Sequence, residues 1–243
     1  MLSRFKISSE NYDISCKLFA PDGEPELVVI GVHGFGGDKE SSVLAALGDE
    51  LSRRNSALLC FDFPAHGDSE AEDSCLRVDN CKNDLLRAVE YVKKRFPNSR
   101  RGIFATSFGG YIALLCSQHF RGMRVVLRAP AVNMAETFVR CILPVTKEEF
   151  LKNGGAVCGF ERKMLVPVDF YEELLREPVI VPEYPLTVIM GTDDNVVRYE
   201  DIERMSRENG NVELVPVQGA DHRFKRTGDL ELIVRAAIER YGV

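Results

Sequence analysis

Short apolar runs alternate with longer stretches of helical spacing through most of the chain. Leu27 to Val32, Ala57 to Phe61, Ile103 to Ala105, Arg124 to Leu127, Leu186 to Met190 and Val212 to Val215 read as strands. The first is apolar at successive positions, as expected of a strand covered on both faces. Ile14 to Leu18 alternates between apolar and polar positions, which predicts a strand with one wet face, antiparallel and at the sheet edge. Val43, Leu44, Leu47 and Leu51 recur at helical spacing over 42–53, and Leu85, Leu86, Val89 and Val92 do so over 84–96, where Pro97 follows the end. Further helical stretches lie at 111–116, 169–176, 199–209 and 229–240. Strands alternating with helices predict an α/β protein with a mostly parallel central sheet and helices on both faces. No internal repeat and no low-complexity linker interrupts the pattern, so a single domain over 1–243 is expected.

One segment breaks the rhythm. Between Ala131 and Pro185 no buried strand is evident, and only 169–176 fits the crossover helix. The remainder, about 133–167, carries Phe138, Ile142, Leu143, Phe150, Phe160 and Met164 around Gly154-Gly155. It reads as a small cap inserted between the strands near 124–129 and 186–190. In open α/β sheets ligands bind at the C-terminal ends of the strands, so Phe138, Phe150 and Phe160 are expected to wall a substrate pocket.

Composition narrows the function classes. The 243 residues are 45% hydrophobic and 28% charged, as in ordinary globular proteins. A formal net charge of −6 argues against a nucleic-acid partner, which would call for a basic footprint. No run approaches the roughly 20 apolar residues of a membrane span, and the first residues lack the apolar core of a signal peptide. The seven cysteines are odd in number and form no C-x-x-C pair, so they read as reduced thiols in a cytoplasmic protein. With four histidines and none beside a cysteine pair, no metal site is expected, and no other cofactor is implied.

The chemistry concentrates in four stretches, each following a predicted strand. Ile103-Phe104-Ala105-Thr106-Ser107-Phe108-Gly109-Gly110 carries a serine between a strand and a helix, a position that projects the hydroxyl and aims the first helical amides at its target. A serine alone is a weak nucleophile and needs a base and an orienting acid. His222 in Gly219-Ala220-Asp221-His222 supplies the base, and Gly191-Thr192-Asp193-Asp194 offers acids; Asp193, Asp194 and Asp221 compete for that role. The fourth stretch is His33-Gly34-Phe35-Gly36-Gly37. Parallel strands end on one edge, so all four loops can meet there.

The order Ser…Asp…His and these loops resemble the α/β-hydrolases over essentially the whole chain. Phe61-Asp62-Phe63-Pro64-Ala65-His66-Gly67-Asp68-Ser69 resembles the family's D-x-x-G-x-G-x-S loop. The HGFxG, FDF-x-x-HGxS and GTxDxVV loops together are most similar to small bacterial esterases of the cinnamoyl/feruloyl-esterase and monoacylglycerol-lipase types. The resemblance implies Ser107 as nucleophile, His222 as base, and Asp194, third after Gly191, as the acid. It also implies the backbone amides of Phe35 and Phe108 as an oxyanion hole, with His33 and His66 bracing loops rather than touching substrate. One departure is plain: Ala105 stands at the first glycine of G-x-S-x-G, followed by Thr106. The implied activity is carboxylic ester hydrolysis on a small-molecule aryl or acyl ester. A peptidase of the same fold, or a silent binding protein, are the competing classes. The rim of the cap is a candidate homodimer surface.

Overall fold

The computed structural model describes residues 1–159 and 162–243. Its main sheet has eight strands in the order β1-β2-β4-β3-β5-β6-β9-β10. These are β1 (Leu2–Ser8), β2 (Asp13–Phe19), β3 (Leu27–Val32), β4 (Ser56–Phe61), β5 (Arg100–Thr106), β6 (Arg124–Arg128), β9 (Leu186–Gly191) and β10 (Val212–Val217). From β4 to β10 every neighbouring pair is parallel, while β1 and β2 run antiparallel. All six residues of β3, of β4 and of β9 are buried. Because successive side chains point to opposite faces, that burial requires cover on both sides. The cover comes from α1 (Ser42–Arg53) packed on α8 (Asp229–Tyr241), and from α2 (Val78–Arg95) packed on α3 (Phe108–Leu115) and α6 (Val168–Arg176). The remaining long helix, α7 (Tyr199–Glu208), packs on β9 and β10.

Two sequence expectations need correction. The alternating segment around Ile14 to Leu18 is not the sheet edge, because β1 pairs outside it with Leu2 opposite Phe19 and Ser8 opposite Asp13. Its wet face is also absent: Ser15 and Lys17 are buried. The Lys17 ammonium pairs with Glu40 and lies over the Phe19 ring at 4.7 Å, so a charge sits under cover with its partner. Helix α2 starts at Val78, earlier than the apolar spacing predicts. Its first turn is completed from outside, where the Val78 amide donates to Glu173 Oε2 of α6 at 2.6 Å.

The segment after β6 holds a short helix, α4 (Met134–Thr137), a π-turn at Phe138–Ile142, and α5 (Lys147–Asn153). Thr146 and Glu149 close a reciprocal capping box at the start of α5, and Gly154 ends it at φ 76°. A two-stranded antiparallel hairpin follows, β7 (Gly155–Cys158) with β8 (Met164–Pro167), separate from the main sheet. Among the described residues no helix is long and apolar enough to cross a membrane.

Beneath β1 and β2 the Asp84 carboxylate of α2 is fully buried, with the Tyr12 hydroxyl 3.0 and 3.1 Å from its two oxygens. Burial pushes its pKa up to about 7, against the opposing pull of the Tyr12 hydrogen bond. A carboxyl group raised in this way stabilises the fold fully below its unfolded value near 4, and the contribution fades as pH climbs toward 7. In paired urea titrations, wild type minus Asp84→Asn should therefore lose on the order of a few kcal/mol between pH 4 and pH 8. A pH-independent difference would place the ionisation elsewhere.

Candidate active site

Ser107 links β5 to α3 at φ 52° and ψ −115°, a conformation that a residue with a Cβ adopts only under constraint. Its amide donates to Arg128 O at 2.9 Å, and its carbonyl accepts from the amides of Tyr111 and Ala131 at 3.0 and 3.1 Å. Two glycines let the helix approach this closely. A Cβ on Gly109 would lie 2.3 Å from His33 O, and one on Gly110 would lie 2.7 Å from the Pro130 ring. Ala105, at the first glycine position of the G-x-S-x-G pattern, is buried within β5 opposite Val32 and Leu127, and the turn forms with its methyl in place.

His222 Nε2 lies 3.0 Å from Ser107 Oγ, and its Nδ1 lies 2.7 Å from Asp194 Oδ2. The second oxygen of Asp194 accepts from the amides of Val196 and Val197, each at 2.8 Å. With its side chain fully enclosed, the Asp194 carboxylate is held by two amides and one imidazole, which sets the imidazole's tautomer with Nδ1 as the donor. The two rival acids lie otherwise. Asp193 Oδ1 accepts from the Thr192 hydroxyl at 3.0 Å, and Asp221 Oδ1 is buried with no partner among the described residues.

The loop after β3 brings Gly34 against the serine: a Cβ there would meet Ser107 Cβ at 3.3 Å. His33 braces this loop. Its Nδ1 lies 2.8 Å from Gly34 O, and Nε2 accepts from the Phe63 amide at 3.1 Å, so the ring is neutral with the proton on Nδ1. Burial holds its pKa down at about 4. His66 is also pushed down by burial, to about 3, with its Nδ1 2.8 Å from Pro64 O and its ring edge against Phe35. The amides of Phe35 and Phe108 donate to no group among the described residues.

Lys39 was not singled out by sequence, yet it ties this loop to the next. Buried, it donates from Nζ to Asp62 and to Asp68 at 2.6 Å each, while its amide donates to Asp62 at 2.7 Å. The signal was half legible, since Asp62 and Asp68 lie in a recognisable loop; the lysine that neutralises them comes from a different one.

Ser107, Thr106, His222, Arg128 and the His33–Gly37 loop line a cavity of about 320 Å³. Met134, Thr137, Cys141 and Ile142 form a wall from the inserted segment. Here the expected aromatic wall is corrected. Phe138 and Phe150 do not line the cavity; both are fully buried. Phe138 follows Thr137 by one residue, about 100° around a helix, and so turns inward. There it packs against Phe35, Phe150, Phe170 and Tyr171 with ring centroids 5.6–6.4 Å apart. Phe160 lies outside the described residues. Gly109→Ala should force the elbow against His33 O, destabilise the protein by about 1–3 kcal/mol, and reduce labelling of Ser107 by a fluorophosphonate. Wild-type stability with wild-type labelling would contradict the close approach.

The fold recurs among solved structures. Est1E from Butyrivibrio proteoclasticus, with ferulic acid bound, superposes with a TM-score of 0.80 at 20% identity, over 97% of this chain and 96% of that one. Alpha/beta hydrolase domain-containing protein 10 from mouse gives 0.78 at 17% identity, over 98% and 97%. The esterase domain of a Rhodothermus marinus protein gives 0.74 at 18% identity, over 99% and 98%. At such identities the likeness is one of fold. A search of curated protein sequences finds no match. A family profile described as serine aminopeptidase, S33, matches residues 23–154, more than half of the chain, from the start of β3 through the Ser107 elbow into the inserted segment. The chain therefore belongs to this hydrolase family and has the α/β-hydrolase fold.

Proposed function

We propose that the protein is a serine hydrolase that cleaves carboxylic esters of small to medium acyl or aryl groups through an acyl-enzyme. The observation that carries the proposal is the continuous relay Ser107 Oγ to His222 Nε2 to Asp194, at 3.0 and 2.7 Å, opening on a cavity of about 320 Å³. Ser107 Oγ attacks the ester carbonyl carbon as His222 Nε2 takes the hydroxyl proton. The charge gathering on the carbonyl oxygen is received by the amides of Phe35 and Phe108, the second at the first turn of α3. Collapse of the tetrahedral species breaks the bond to the leaving oxygen, which takes the proton from His222. Water then attacks the acyl-enzyme with His222 again as base, releasing the acid and restoring Ser107. Asp194 holds the imidazole in the tautomer that can accept.

The inserted segment at about 133–167 acts in this reading as a small cap on a single domain. Its Met134, Thr137, Cys141 and Ile142 face the acyl group, and Phe138 and Phe150 support them from behind. The seven thiols, all free among the described residues, support a cytoplasmic setting.

A second reading, aminopeptidase action, is favoured by the description of the matching family. An aminopeptidase must neutralise the substrate's α-ammonium, and a buried cation calls for a carboxylate. Among the described residues no Asp or Glu lines the cavity, whereas Arg128 and Arg223 do. That contrast supports the ester reading. The bound ferulic acid of Est1E shows that a fold of this kind can hold an aryl acid, and Ile142 and Val196 give this cavity apolar wall for one.

A fluorophosphonate should label Ser107, and Ser107→Ala should abolish both labelling and p-nitrophenyl acetate turnover. Asp194→Asn should retain the fold and lower kcat by about 10⁴-fold. Faster wild-type turnover of leucine or proline p-nitroanilide than of p-nitrophenyl esters would reverse the choice between the two readings.

A further inference from the structure

Arg128 is the last residue of β6 and lies opposite Thr106, the residue just before the nucleophile, in the parallel register of β5 and β6. Lateral partners in a sheet project to the same face, and both residues line the cavity. Each is only 8% exposed, and each has a buried polar atom without a partner among the described residues: Thr106 Oγ1 and Arg128 Nε. The protein has three buried lysine or arginine residues among those described, Lys17, Lys39 and Arg128. Lys17 is paired with Glu40, and Lys39 with Asp62 and Asp68. Arg128 closes no ion pair among the described residues.

Its nearest negative groups are spoken for or out of reach. Asp194 spends one oxygen on two amides and the other on His222. Asp221 contributes to the field around Arg128 without forming an ion pair with it. Burial lowers the guanidinium pKa to about 10, so it remains charged at neutral pH. The two contacts it does make are with neutral groups: Nη2 donates to His222 O at 3.1 Å, and the guanidinium lies 4.7 Å from the centre of the Phe224 ring. A planar group with five donors is thus held in place from one side, with donors to spare in a cavity beside the nucleophile. A buried guanidinium left unpaired is costly, and a carboxylate is the group whose geometry completes it. Arg223 is exposed at the margin of the same cavity.

We infer that Arg128, with the Thr106 hydroxyl beside it, is a receptor for a carboxylate on the substrate, so that the preferred esters are anionic. The inference rests on the serine-esterase reading and narrows it to a substrate class.

Two matched pairs of substrates test it, differing in which side of the ester bears the charge. The p-nitrophenyl half ester of adipic acid is compared with p-nitrophenyl hexanoate, and 4-acetoxybenzoate with its methyl ester. In at least one pair the wild type should favour the anion in kcat/KM. Arg128→Gln should lower that anion-to-neutral ratio about 10- to 100-fold, the range for a lost charged hydrogen bond. Arg128→Lys should retain part of the ratio, since it keeps the charge and loses the fork. The ratio separates recognition from bracing: loss of the His222 carbonyl contact alone would slow both members of a pair alike. Should Arg128→Gln fail to fold, competition on the wild type decides, with adipate expected to inhibit p-nitrophenyl hexanoate hydrolysis more strongly than adipamide does. Equal turnover of anion and neutral ester in both pairs, an unchanged ratio in the glutamine variant, or equal inhibition by the acid and the amide overturns the inference. If Ser107 takes up fluorophosphonate and neutral esters turn over, such a result leaves the esterase reading standing. A wild type that is neither labelled nor active on any of the four esters removes both.

Discussion

The backbone at Ser107 is held where a side chain would not place it, at φ 52° and ψ −115°, and the other parts of the site are arranged around that turn. Such a conformation costs on the order of 1–3 kcal/mol and persists only where its surroundings over-determine it. Here the restraints come from both sides of the sheet position. The Ser107 amide is fixed by β6 through Arg128 O, and its carbonyl caps both the first turn of α3 and the chain leaving β6. Gly109 and Gly110 let α3 press against His33 and Pro130, at distances that a Cβ would close off. The same approach that enforces the strain brings the His33–Gly37 loop to the hydroxyl.

Electrostatics around the turn are divided by depth. Around the cavity, burial keeps His33 and His66 neutral; both His33 nitrogens engage loop backbone, at Gly34 O and the Phe63 amide, and His66 Nδ1 meets Pro64 O. To one side, Lys39 balances Asp62 and Asp68, which ties the loop after β3 to the loop after β4. Breaking a buried pair of this kind by removing one partner typically costs about 3–5 kcal/mol, which makes it a structural lock rather than a reactive group. The buried cation left at the cavity wall without an ion pair among the described residues is Arg128, beside an Asp194 already committed to His222.

Aromatic packing connects the inserted segment to this frame. Phe35 meets His66, Phe108, Phe138 and Phe170 with centroids 5.4–6.4 Å apart. Edge-to-face contacts of this kind add directional attraction to the burial of large apolar surfaces. Phe35, in the loop after β3, and Phe108, next to Ser107 in the chain, are thus positioned by side chains that pack on one another and on Phe170. The insertion contributes Phe138 to that core and Met134, Cys141 and Ile142 to the cavity.

Most of the frame was legible along the chain. Continuous apolar runs mark β3, β4 and β9 because a strand covered on both faces has no polar side to show, and helical spacing gives α1 the same bounds in sequence and structure. The order of Ser107, Asp194 and His222, each after a strand of one parallel sheet, predicts their convergence, because parallel strands end together. What the sequence could not carry are features completed by residues far away along the chain. The edge position of β1, the covered face of Lys17 and the early start of α2, capped by Glu173, each depend on a remote partner. Asp194 is the acid that the resemblance implies, whereas composition and strand order alone leave Asp193 and Asp221 beside it; the 2.7 Å distance to His222 Nδ1 belongs to Asp194. The inward turn of Phe138 follows from its phase within a short irregular helix, which composition does not fix. Arg128 reads in sequence as an ordinary strand end; only the tertiary structure, by burying it beside Ser107 without a counter-ion among the described residues, sets its charge against the cavity.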